Sequence, residues 1–110
     1  MEINAREEGG YAILELVGEV DLSCSPEARK RVLASLDAGH NLLIDLSGVA
    51  YIDSSGVASL VEGYQTAKKQ NLKFGLVGVS QAAMSVLRLA RLDKVFPIYS
   101  SVTECLRADE

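Results

Sequence analysis

Tryptophan is missing from this 110-residue chain, and histidine (one), cysteine (two) and proline (two) are scarce. Each scarcity removes a class of function. Neither Cys24 nor Cys105 belongs to a Cys-x-x-Cys pair, and His40 is the lone imidazole, so a zinc site lacks ligands. Both thiols read as free and non-catalytic, as a reducing cytoplasm would keep them. Aromatic residues make up 5% of the chain, too few for a cofactor box. Tyr64, Phe74 and Phe96 are therefore expected in the core. Positive charge is not in excess: 11 Lys and Arg face 15 Asp and Glu, for a net charge of −4. A surface that tracks nucleic-acid phosphates is not expected. No charged-then-apolar leader opens the chain, and no apolar run has the length of a bilayer crossing. The expectation is a soluble cytoplasmic protein that does not insert into a membrane.

Catalytic signatures are missing as well. A Ser-His-Asp hydrolase would have to use His40, at the end of the first predicted helix, and no Gly-x-Ser-x-Gly elbow occurs. Gly75 and Gly78 do not complete Gly-x-Gly-x-x-Gly, and no Gly-x-x-x-x-Gly-Lys is present. No pair of acids has a spacing that points to general acid–base work. Neither an enzyme nor a cofactor or metal is expected.

What is present is an ordinary globular composition, 48% hydrophobic and 24% charged, over a length that suits one domain spanning residues 1–110. Residues 3–6 and 11–17 predict a hairpin across Glu7-Glu8-Gly9-Gly10, with Gly18 ending the second strand at a bulge. Ser25 is a suitable helix N-cap, Pro26 suits the first helical position, and Ala28, Val32, Leu33 and Leu36 recur on one face before Gly39 stops the helix. Residues 41–46 form a near-continuous apolar run, as in a parallel strand buried on both faces, and Ser47-Gly48 breaks it. Val57, Leu60, Val61, Tyr64 and Ala67 mark a second helix that runs to about Gln70. A strand over 72–79 follows, then a helix capped by Ser80 with Ala83, Val86, Leu87 and Ala90 inward. Residues 95–99 predict a short edge strand, since Pro97 cannot serve a central one. Ser100 or Ser101 caps a last helix with Val102, Cys105 and Leu106 inward, and residues 107–110 fray. The order β-β-α-β-α-β-α-β-α predicts an α/β fold with a mixed, mostly parallel sheet packed with helices. The order of strands within the sheet stays open.

The stretch that stands out is Asp53-Ser54-Ser55-Gly56, where an apolar strand gives way to a helix. Its simplest role is structural: Asp53 or Ser54 caps the helix, Ser55 fills the first turn and Gly56 gives room. It is also small, polar and doubled in serine, at the kind of sheet edge where open α/β folds place their sites. Asp21 follows the second strand as Asp53 follows the third. If those strands are parallel neighbours, both acids share one edge.

Gly18-Glu19-Val20-Asp21 after a strand, with Ile52-Asp53-Ser54-Ser55-Gly56-Val57 opening a helix, resembles the STAS domain, and within it the bacterial anti-sigma factor antagonists. The resemblance extends from about Ile3 to Leu106. It implies a partner-switching cycle: the unphosphorylated antagonist binds an anti-sigma factor with serine kinase activity, and a sigma factor is released. The kinase then phosphorylates the position matching Ser54, and a serine phosphatase restores it. Asp21 matches the family's acidic partner-contact position, Asp53 the acid before the phosphoacceptor, and Ser55 and Gly56 complete the partner-binding turn. The loop over residues 22–26, Leu-Ser-Cys-Ser-Pro, departs from the more polar stretch of many relatives. An alternative within the same fold is a STAS accessory subunit of an ABC-type lipid transport system.

Overall fold

The structure is a computed structural model that describes residues 1–108. Nine elements follow in the predicted order: β1 (Glu2–Glu8), β2 (Tyr11–Val20), α1 (Ser25–Asp37), β3 (Asn41–Ile52), α2 (Ser54–Lys69), β4 (Phe74–Val77), α3 (Gln81–Leu89), β5 (Ile98–Tyr99) and α4 (Val102–Ala108). The sheet order is β1-β2-β3-β4-β5. β1 is antiparallel to β2, and every other pairing is parallel. The edge position of β5 agrees with Pro97, whose carbonyl accepts from Leu76 N–H at 2.9 Å.

Alternation along the strands builds two apolar layers. Ala12, Leu14 and Leu16 of β2 and Leu42, Ile44 and Leu46 of β3 face α1, α2 and α3, meeting Val32, Leu36, Leu60 and Leu87. The intervening residues Tyr11, Ile13 and Leu43 face the other way, onto Val102 and Cys105 of α4. That second layer is why the apolar run of β3 is continuous. Tyr64, Phe74 and Phe96 stack in the first layer, with centroids 5.5 to 6.1 Å apart.

Several boundaries differ from the sequence reading, each for a local reason. Ser47-Gly48 does not break β3, and β2 runs past Gly18 to Val20. The two strands stay paired through register shifts at Glu15/Val17 and Gly18/Glu19, so the glycines become bulge positions and not stops. Gly18 takes φ +98°, and Ser47 N–H and hydroxyl donate to the Asp45 carboxylate at 2.9 and 2.7 Å. Ser25 is not the cap of α1. Cys24 holds that position without capping the helix through its side chain, whose thiol instead donates to Glu19 O at 3.3 Å, and Ser25 is a buried first helical residue. The amides of Cys24 and Ser25 already donate to Asp21 O, at 3.1 and 2.8 Å, in the turn that precedes the helix.

β4 is limited to four residues, and β5 is limited to two because Val95 and Phe96 belong to the turn that precedes it. Ala90 is the exposed C-cap of α3 and not part of its buried face. Arg107 and Ala108 continue α4, while the remainder of the stretch predicted to fray lies outside the described residues.

Candidate functional site

β2 and β3 are parallel neighbours, and their last residues, Val20 and Ile52, are in register. The residues that follow therefore emerge side by side at one edge, as the sequence requires for Asp21 and Asp53 to meet. Asp53 N–H donates to Val20 O at 3.2 Å. The two loops are tied by one further bond, from Leu22 N–H to Asp53 Oδ2 at 3.2 Å.

Asp53 is the N-cap of α2, in extended conformation. Its Oδ1 accepts from Ser55 N–H at 2.9 Å, Gly56 N–H at 3.2 Å and the Ser55 hydroxyl. One carboxylate thus closes the start of α2 and fastens the β2–α1 loop. These donors, the Ser55 hydroxyl first, hold the Asp53 carboxyl below its ordinary 3.8. Asp21 plays a similar part in its own turn. Ser23 donates to it through hydroxyl and N–H, the latter at 3.0 Å. The Ser23 bonds lower the Asp21 pKa, and the neighbouring Asp53 charge works in the opposite direction.

The two serines differ in what they have left to give. The Ser55 hydroxyl is engaged by Asp53 and its side chain is half-buried. Ser54 is the first residue of α2 and is exposed, and its hydroxyl makes no hydrogen bond among the described residues. It stands at the capped N-terminus of α2, where the helix dipole is positive.

Gly56 keeps the start of α2 close to the sheet. A Cβ there would lie 2.7 Å from Ile52 Cγ1 and 2.9 Å from Val20 Cγ1, both in buried side chains at the ends of the two strands. Beside the turn, α1 and α2 flank a groove of about 280 Å³ lined by Ser25, Arg29, Ser55, Ser59 and Glu62, among others. Ser59 Oγ donates to Ser55 O at 3.1 Å within it, and Arg29 pairs with Glu62 at 2.6 Å, so this guanidinium is already engaged.

The structure thus brings together Asp21, Asp53, Ser54, Ser55 and Gly56. The sequence reading passed over Leu22 and Tyr51, which are 72% and 51% exposed at the same edge. An apolar residue between Asp21 and Ser23 was the available signal. Among the described residues no three His, Cys, Asp or Glu side chains are grouped to hold a metal, and no helix is long and apolar enough to cross a membrane.

Comparison with known proteins bears on the family and the fold. The family model described as the STAS domain matches residues 2–105. The anti-sigma-F factor antagonist RsfB of Mycobacterium tuberculosis is 32% identical over 109 residues, covering 94% of this chain and 85% of that protein. The anti-sigma-B factor antagonist of Bacillus subtilis is 26% identical over 85 residues, 77% of this chain and 78% of that protein. A crystal structure of an anti-sigma factor antagonist from Mycobacterium paratuberculosis superposes with a TM-score of 0.88 at 28% identity, covering 97% of this chain and 92% of that one.

Proposed function

We propose, from the premise that this chain belongs to the STAS domain family, that it is an anti-sigma factor antagonist switched by phosphorylation of Ser54. The observation that carries this most is the unbonded, exposed Ser54 hydroxyl at the mouth of α2, next to an Asp53 already held by other donors. In the unphosphorylated state the edge formed by Asp21, Asp53, Ser54, Ser55 and Gly56 docks an anti-sigma factor with serine kinase activity, and a sigma factor is set free. Transfer of a phosphoryl group to Ser54 ends the docking, and a serine phosphatase reverses it. The names of the relatives support the antagonist role. In this cycle the chain is a regulatory binding protein of the cytoplasm, working as one domain, and the kinase supplies the base and the metal–nucleotide. Asp53 is poorly suited as a base, since four donors favour its ionised form.

Phosphate on Ser54 adds about −1.5 to −2 charges at neutral pH. The positive end of the α2 dipole favours that charge, although Asp53 already holds the Ser55 and Gly56 amides, so the fold survives. The consequence falls on the interface. Asp21 and Asp53 already repel one another, residues 18–26 and 47–60 hold no Lys or Arg, and Arg29 is paired with Glu62. A docked partner would meet a bulky, uncompensated anion.

Incubation with the anti-sigma factor kinase of the same genome and MgATP tests the assignment. Mass spectrometry should show a single added phosphoryl group on the wild type and none on Ser54→Ala. Equal addition to both, or none to either, would refute it.

A further inference from the structure

We infer that Leu22 is the apolar anchor of the docking surface, and that the partner offers it an apolar socket rimmed by basic side chains. This rests on the antagonist function proposed above and extends it to the chemistry of recognition. Leu22 is 72% exposed, although the backbone around it is among the most tightly held in the loop. Its own N–H is bound by Asp53 Oδ2 at 3.2 Å. The next amide, of Ser23, is bound by Asp21 Oδ1 at 3.0 Å, and the amides of Cys24 and Ser25 by Asp21 O. A flexible loop could fold a leucine back onto the core. This turn instead fixes the Cα and directs the side chain to solvent, where the described residues leave most of it uncovered.

Such a residue adds little to folding, because it is wet in the folded and unfolded chain alike. On binding it loses little backbone freedom and buries an aliphatic side chain, so little of the gain is offset by ordering. Tyr51 extends the apolar part of the edge. It lies two residues before Asp53, and its register partner is Glu19 on β2. Glu19, Asp21 and Asp53 surround these positions in the chain, and neither loop segment holds a cation. The complementary partner surface is therefore basic at its rim and apolar at its centre. The two anchoring carboxylates also connect recognition to the switch. Asp53 fixes Leu22 with one oxygen and the first turn of α2 with the other, so charge added at Ser54 falls beside the group that aims Leu22.

The test measures affinity of the wild type, Leu22→Ser and Leu22→Met for the anti-sigma factor kinase of the same genome by calorimetry, with melting temperatures alongside. Leu22→Ser should melt with the wild type yet bind at least about tenfold more weakly. The loss should persist at about 0.5 M salt, where exposed charge pairs are screened. Leu22→Met should bind within about threefold of the wild type, since it restores the apolar volume. Unchanged binding by Leu22→Ser, with a wild type that does bind, would overturn the anchor and leave the antagonist function standing. So would self-association of the wild type that Leu22→Ser abolishes, because Leu22 would then serve a contact between copies. A wild type that neither binds the kinase nor accepts phosphate would remove the antagonist function, and the anchor with it.

Discussion

Asp53 does the work of several residues at the candidate site. It caps α2, binds the Leu22 amide and stands before Ser54. Asp53→Ala removes the cap and the tie between loops, and the melting temperature should fall by a few degrees in a thermal scan at pH 7. The effect has a pH signature. Asp53 and Asp21 have folded-state pKa values below the ordinary 3.8, so their hydrogen bonds stabilise the protein above that value. That stability is lost as pH falls below 3.8 through the depressed folded values. The gap in melting temperature between wild type and Asp53→Ala should therefore narrow below pH 3.8 and stay constant from pH 5 to 7. A gap that widened in acid would mean that the carboxylate is not favoured by its bonds. Sequence alone left two candidates for the cap, Asp53 and Ser54, since either residue type serves. Only the extended backbone of Asp53 and the three bonds to its Oδ1 decide between them, and that decision is what leaves Ser54 unbonded.

The elements meet at glycines whose missing side chains set distances. Gly56 lets the first turn of α2 rest on Val20 and Ile52, and Gly63 lets α2 approach Val32 of α1, where a Cβ would lie 2.6 Å from Val32 Cγ1. Gly56→Ala and Gly63→Ala should each destabilise the protein by roughly 1–3 kcal/mol in urea titrations, despite the better helix propensity of alanine. If either variant gained stability, the close approach would be wrong. Helices were the most legible elements, because their apolar spacing and the Ser80 cap survive in three dimensions. The strand ends were not. Gly18 and Ser47-Gly48 look like stops to a local reading, but neighbouring ladders carry both strands through as bulges. That continuation is decisive for the site, since it brings Val20 and Ile52 into register.

Over the whole molecule, the alternation of strands and helices announced an α/β fold. The order β1-β2-β3-β4-β5 could not be read from it, because it depends on which ladders form and not on any one segment. With the order known, the charge distribution gains meaning: carboxylates and hydroxyls lie at the edge formed by the two loops, without a cation from either. Association with a basic partner should therefore weaken as salt rises, chiefly through a slower on-rate, and stopped-flow mixing across a salt series checks this. A salt-independent on-rate would remove electrostatic steering from the mechanism. The core begins at Val20 and Ile52, directly behind these acids, but Ser54 itself is exposed, so a charge added there need not enter it. The most direct measurement compares the chain phosphorylated on Ser54 with the unmodified chain, for affinity to the anti-sigma factor kinase and for melting temperature. Affinity should drop by at least about tenfold, with little change in melting temperature. Undiminished affinity after phosphorylation, or a loss of affinity that comes with unfolding, would contradict a switch that acts at the interface.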